Sequence, residues 1–345
     1  MNNRRLFLLL AGLLLISSAI APAARAQEDN IIRLGYIPVV IYAPIYVGIE
    51  RGYFAAEGVE VELIPVPAGG GESIVQLAAG NFDAAATGAG ASLLNAAHQG
   101  LGFRIVAPLH TERPPLSTPL VIAANRADEI RSVADLRGGR IAINTTGSAI
   151  EYWVYAALSR AGLSMDDVTI VAMPFPQMPS ALENGAIDAA VMTDPLPTLA
   201  REQGVIAYLA DDYIDGITVT YVFFGLPLIE ERPALAEGFM RGYLRAARDL
   251  QGDGWLDRAT AEIIERYTQV PADVVLRMNR PYFDPDGVIP LADLEEVQRY
   301  FLSRGVLEYT EALDMRSFVD SRFVEAAVEA LGAYATPEPT GTPAN

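Results

Sequence analysis

Two α/β lobes facing each other across a cleft is the fold class this sequence predicts, and three observations carry it. One phrase is said twice: Gly80-Asn81-Phe82-Asp83-Ala84-Ala85-Ala86-Thr87 returns as Gly185-Ala186-Ile187-Asp188-Ala189-Ala190-Val191-Met192, each time after an apolar helical run. In both copies the Gly marks the stop of a helix, because glycine enters the left-handed conformation without steric cost. The Asp-Ala-Ala that follows reads as a short buried strand. Ahead of the first copy a strand, a helix and a second strand succeed one another, the pattern of a right-handed parallel βαβ unit. Finally, 345 residues suffice for two domains, and the proline-rich stretch Pro114-Pro115-Leu116-Ser117-Thr118-Pro119 separates the two copies.

Taken in order, residues 1–26 read as an export signal. Arg4 and Arg5 precede an apolar run from Leu6 to Ile20, and Ala24-Arg25-Ala26 is a small-residue cleavage motif. The Arg pair also fits the twin-arginine pattern, but the hydrophobicity of the run favours the general secretory route. The run falls short of the roughly 20 residues a membrane span needs, and there is no Cys to carry a lipid anchor. Ile31 to Tyr36 is a first strand, Ala43 to Arg51 a helix ended by Gly52, and Val59 to Val66 a second strand. Residues 27–117 are expected to begin the first lobe and 118–224 to form the second, with strands at Leu120–Ala124 and Arg140–Asn144 and a helix over Ala149–Arg160. The strand from Val219 to Phe224 leads back, and the mostly helical 225–335 completes the first lobe. The Pro-rich tail 336–345 is expected to be disordered.

Composition narrows the function. Half the chain is apolar (51%) and 20% is charged, a globular balance, while the formal charge is -18 and every basic residue is Arg. Such a chain repels nucleic acid and anionic membranes. With no Cys, disulfides, thiolate metal sites and cysteine nucleophiles are excluded. His98 and His110 lack metal-ligand spacing and are assigned structural roles. The acidic pairs Asp166-Asp167, Asp211-Asp212, Glu230-Glu231 and Glu295-Glu296 are read as solvated surface. Asp249, Gln251, Asp253 and Gly254 imitate the start of an EF-hand loop, but its twelfth position is Thr260 where a bidentate Glu is required. No catalytic residue, metal or cofactor is expected.

Candidate binding residues cluster where strands end. The glycine-rich turn Gly69-Gly70-Gly71 with Ser73 opens a helix and exposes backbone N–H groups at its positive end. It lacks the Lys of a nucleotide-binding loop. Thr87 and Gly88 end the first copy's strand, and Thr193 and Asp194 end the second's. Thr145, Thr146, Gly147 and Ser148 stand before the second-lobe helix, in the place equivalent to the glycine turn. Two crossings between lobes imply a hinge that closes over a bound molecule.

Leu34-Gly35-Tyr36-Ile37-Pro38, the run from Ala43 to Val61, Leu77 to Asp83, Ala134 to Ala142, Gly162 to Val168 and Gly185 to Ala190 stand in an order that resembles the NMT1/THI5-like solute-binding proteins of ABC importers. The resemblance spans roughly residues 31–225. It implies a periplasmic-binding-protein-like fold of type II, and a monomer that hands a small molecule to a membrane permease driven by an ATPase. Members of that family bind aliphatic sulfonates, nitrate, thiamine-type pyrimidines or riboflavin. Enzymes that resemble it rely on a Cys, which is absent here. An exported ligand sensor is a further alternative.

Aromatic residues bear on the ligand. Tyr42 near the first helix, Tyr152 and Trp153 in the second-lobe helix, and Tyr221 on the return strand are placed to face the cleft, as stacking on a planar heterocycle requires. Few Arg lie in the cleft loops, whereas sulfonate or nitrate would favour a cationic cleft. The expected ligand is therefore a neutral, vitamin-like heterocycle.

Overall fold

The computed structural model describes residues 30–66 and 70–335. The export segment, Gly69 and the tail 336–345 lie outside the described residues.

Among the described residues ten strands form two five-stranded sheets. They are β1 (Ile31–Tyr36), β2 (Glu60–Pro65), β3 (Ala84–Gly88), β4 (Phe103–Glu112), β5 (Leu120–Ala123), β6 (Arg140–Ile143), β7 (Thr169–Ala172), β8 (Ala189–Val191), β9 (Ile206–Ala210) and β10 (Ile217–Gly225). The sheet orders are β2-β1-β3-β10-β4 and β7-β6-β8-β5-β9. Each has a parallel trio, with β1 between β2 and β3 and β6 between β7 and β8, and one antiparallel strand beside it. That antiparallel strand, β10 or β5, is in each case the first to follow a crossing from the other sheet.

The repeated phrase occupies equivalent central places, β3 and β8. Gly80 and Gly185 sit at φ 74° and 73°, the left-handed stop that the sequence predicts. The Asp of each copy has a structural task. Asp83 accepts from the Arg33 N–H at 2.9 Å on the neighbouring β1 and pairs with Arg232. Asp188 accepts from the Arg140 N–H of β6 at 2.8 Å and from Arg126 Nη1 at 2.6 Å. Each carboxylate thus satisfies a backbone donor of the neighbouring strand one residue before that strand's pairing with the repeated phrase begins.

The helices between strands are α1 (Ala43–Glu50), α2 (Tyr53–Ala56), α3 (Gly70–Ala78), α4 (Ala91–His98), α5 (Ala149–Arg160), α6 (Met178–Glu183) and α7 (Leu196–Glu202). After β10 come α8 (Leu226–Glu231), α9 (Pro233–Asp249), α10 (Arg258–Thr268), α11 (Ala272–Val275), α12 (Leu291–Arg304) and α13 (Arg322–Leu331). Pro233 starts α9 at a position whose N–H is spare anyway. Ala236, Phe239, Met240, Tyr243, Leu244 and Ala247 make its buried stripe, which packs on α1, α2 and α13.

One boundary differs from expectation. All but the last residue of β10 lies within the 118–224 segment assigned to the second lobe, yet the strand pairs with β3 and β4 of the first sheet. The return crossing is therefore 211–216. An apolar strand carries no mark of which sheet it joins, so the sequence pattern placed the boundary too late. The outward crossing is 113–119, and the two run together: Leu116 N–H donates to Asp211 O at 2.7 Å and Gly216 N–H to Glu112 O at 2.8 Å.

Candidate functional site

The carboxyl ends of β1, β3, β6 and β8 point at one seam between the sheets, the place where parallel α/β sheets expose backbone to ligands. The seam is drawn together. Val40 N–H donates to Asp194 O at 2.9 Å, and Ala91 N–H to Gly147 O at 2.8 Å, each bond running from one lobe to the other. Gly88 and Gly90 permit this approach. A Cβ on Gly88 would lie 2.5 Å from the Ala149 methyl, and one on Gly90 would strike the Gly147 carbonyl oxygen.

The seam encloses a chamber of about 70 Å³. Of the expected residues, Tyr42, Gly71, Thr87, Gly88, Thr145, Gly147, Ser148, Trp153 and Thr193 line it. Tyr42 and Trp153 come from opposite lobes. The Tyr42 hydroxyl is committed to Ala86 O at 2.5 Å, and its ring packs beside Tyr36 and Tyr46.

Other expected residues do not reach the chamber. Ser73 is buried in α3, Gly70 begins that helix, and Thr146 is exposed on its loop. Tyr152 turns away to pack on Tyr155 and Tyr300, because adjacent helical residues point about 100° apart and Trp153 takes the cleft. Tyr221 is sealed in the first sheet, its hydroxyl donating to Thr218 O at 2.8 Å. Asp194 lies behind the wall. Its Oδ1 accepts from the Thr198 hydroxyl (2.8 Å) and N–H (3.1 Å), and its Oδ2 from Asn279 N–H (3.2 Å).

The residues missed from the sequence are polar ones inside apolar strands, or neutral ones beside the expected motifs. His110 and Thr220 face the chamber from β4 and β10, Thr118 from the outward crossing, and Asn144 from the end of β6. The signal lay in His110-Thr111-Glu112 and in Thr218 and Thr220, polar residues that interrupt buried strands. His110 is thus a chamber residue and not merely a packed histidine. Its Nε2 lies 3.3 Å from Glu112 Oε1 and its Nδ1 2.5 Å from Thr220 Oγ1. Glu112 also accepts from Ser117 N–H (2.9 Å), Ser117 Oγ (2.8 Å) and Thr118 Oγ1 (2.5 Å).

Electrostatically the chamber is distinctive. Apart from the committed imidazole of His110, no described lining residue carries an ionisable acid or base other than the phenol of Tyr42. Buried carboxyl groups back it instead: Glu112, Asp194, and Glu151, whose Oε2 accepts from Gly147 N–H at 2.7 Å and so occupies the positive end of α5. Five side-chain donors remain open. The hydroxyls of Thr87, Ser92 and Thr193, the amide nitrogen of Asn144 and the indole N–H of Trp153 line the chamber and make no hydrogen bond among the described residues.

The imitation calcium loop is otherwise employed, since Asp249 pairs with Arg51 and accepts from the Tyr53 hydroxyl. Among the described residues no cluster of acids and histidines could hold a metal ion.

Burial raises the Asp194 carboxyl to about 7, against the opposing hydrogen bonds of Thr198 and Asn279. A carboxyl with a raised value binds its proton more tightly folded than unfolded. Stability should therefore fall as pH rises from about 4 toward 7 and level off above that. Urea titrations across this range check it: Asp194→Asn should flatten the fall, and an unchanged slope in the variant would refute it.

Two α/β lobes joined by paired crossings, with a chamber between them, are the two-lobed fold of the periplasmic binding proteins. Residues 25–265 match the NMT1-like family, and the chain belongs to that family. The riboflavin-binding protein RibY of Chloroflexus aurantiacus is 32% identical over 241 residues, an alignment covering 66% of this chain and 65% of that protein. The alkanesulfonate-binding protein SsuA of Xanthomonas axonopodis pv. citri, solved with MOPS, shares the fold at TM-score 0.68 and 18% identity, over 85% of this chain and 98% of that one. The desulfurization enzyme DSZB shares it at TM-score 0.62 and 17% identity, over 88% and 99%. The fold therefore accommodates binders and an enzyme alike. Among the described residues no helix is long and apolar enough to cross a membrane.

Proposed function

We propose that the protein is an exported solute-binding protein of an ABC importer, which closes on a neutral planar heterocycle bearing ring carbonyl groups and delivers it to a permease without chemical turnover. A flavin has this chemistry; a thiamine-type pyrimidine is a related planar heterocycle that offers acceptor ring nitrogens and, when formylated, an exocyclic carbonyl in place of ring carbonyls. The observation that carries the reading is the chamber's pairing of uncommitted neutral donors with carboxyl groups behind them. Carbonyl oxygens satisfy the donors, whereas an anion would meet Glu112 and Glu151 with no Arg to offset them. The likeness to a riboflavin-binding protein supports the same chemistry. No turnover is expected because the chamber's one imidazole is already bonded on both nitrogens.

One observation favours an anion instead: α3, α4 and α5 all begin at the chamber, and helix starts attract negative charge. Calorimetric titration with riboflavin, a formylaminopyrimidine, taurine and nitrate separates the readings. Binding of a heterocycle is expected, and Trp153→Ala should weaken it about tenfold to a hundredfold by removing a ring and a donor. Tight binding of taurine or nitrate with neither heterocycle would refute the neutral-ligand reading.

A further inference from the structure

Beside the chamber lies a second cavity of about 340 Å³, also walled by both lobes. It adjoins the first, sharing Ile37, Val39, Asn144, Phe175 and Thr193 with it. Beyond those shared residues its character changes. Val66, Val270 and Leu196 supply apolar surface, and Pro38, Pro65, Pro174, Pro176 and Pro195 complete the wall. Proline has no N–H, so this wall withholds the donors that backbone normally offers a ligand. Among the described lining residues the single hydroxyl beyond the shared ones, on Thr268, donates to Ile264 O at 2.9 Å. Open donors thus stand where the two cavities share their lining, on Asn144 and Thr193, and the rest of the second cavity is fit only for apolar groups.

We propose that the cleft is bipartite and selects a ligand of matching build: a small oxygen-bearing head in the first chamber and a ring-sized apolar body in the second cavity. The neutral character of the head rests on the function proposed above; the apolar body does not. A single polar ring leaves the second cavity without an apolar partner, whereas a pyrimidinedione joined through a pyrazine ring to a methylated benzene ring uses both. Leu196 is the specificity-determining contact for the body. It is half-buried at the start of α7, so an acidic side chain is compatible with the helix there.

Calorimetric titration with two probe series tests this. Uracil, lumazine and lumichrome carry one head with bodies of increasing apolar size, and ethanesulfonate and octanesulfonate do the same for an anionic head. Lumichrome is expected to bind at least about thirtyfold more tightly than lumazine, from the apolar surface its benzenoid ring buries. Leu196→Glu should abolish most of that advantage while leaving lumazine affinity within about twofold, and Leu196→Ala should lose a smaller part. Equal affinities for lumazine and lumichrome, or equal weakening of both by Leu196→Glu, would overturn the bipartite cleft. If only sulfonates bind, and octanesulfonate exceeds ethanesulfonate by a margin that Leu196→Glu removes, the bipartite cleft stands and the neutral head falls. Failure of both series to bind at millimolar concentration overturns both.

Discussion

Gly90→Val is expected to lower ligand affinity by at least about a hundredfold while leaving the melting temperature of the ligand-free protein unchanged. The residue sits at φ -89° and ψ -178°, extended backbone that valine adopts readily, so neither lobe is strained by the change. The effect falls on closure alone. A Cβ at this position would strike the Gly147 carbonyl oxygen and lie 3.2 Å from Ser148 Cα, both backbone atoms of the opposite lobe that no rotamer can move. The Ala91–Gly147 hydrogen bond that shuts the seam would be lost with it. Apparent affinity then drops by the fraction of molecules still able to close. Titration of the variant with whichever heterocycle the native protein binds, alongside small-angle scattering, gives the readout. Undiminished affinity with normal ligand-induced compaction would show that the seam is not the moving part.

Glu112→Ala should destabilise the fold by about 3–5 kcal/mol, measured by urea unfolding. The carboxylate is buried and gathers the Ser117 N–H, two hydroxyls and the His110 ring, while its backbone carbonyl holds Gly216 of the return crossing. Removing it strands donors from the first crossing and from the chamber wall at one stroke. Burial pushes the Glu112 carboxyl up, but the hydrogen bonds from His110, Thr118 and Ser117 outweigh it and hold the group below its ordinary value of 4.5. The sign is thus opposite to that of Asp194. This contribution is fully present above about pH 4.5 and is lost as pH falls through the lower folded value. Glu112→Gln keeps the shape and should cost less, since its amide still accepts on one side. Equal stability of Glu112→Ala and the native protein would remove the hub from the account.

The fold was legible because its signals are local. Gly80 and Gly185 announce helix stops through their own backbone, and the phrase they open marks the same central strand in both sheets. The helix over Ala149–Arg160 was legible to the residue, since Ser148 precedes it and Gly162 follows it. The return boundary was not, for the partner of Val219 to Phe224 depends on the global course of the chain.

The candidate site was legible in part for the same reason. Thr87, Thr145, Ser148, Thr193 and Trp153 stand beside strand and helix ends, where pattern alone places them. His110 and Thr220 come from β4 and β10 and Thr118 from the outward crossing, and their convergence on the chamber is a tertiary fact. Tyr152 and Tyr221 show the opposite error. An aromatic residue near a cleft motif is as readily claimed by a core, and only the direction of its side chain decides.

The central claim is that the closed seam holds a neutral heterocycle with ring carbonyl groups. Native mass spectrometry of the freshly purified protein, followed by release and identification of the bound small molecule, tests it most directly. The account predicts one equivalent of an uncharged flavin- or pyrimidine-type compound, with the bound fraction greatly reduced in Gly90→Val. Recovery of a sulfonate, nitrate or another anion in its place would contradict it.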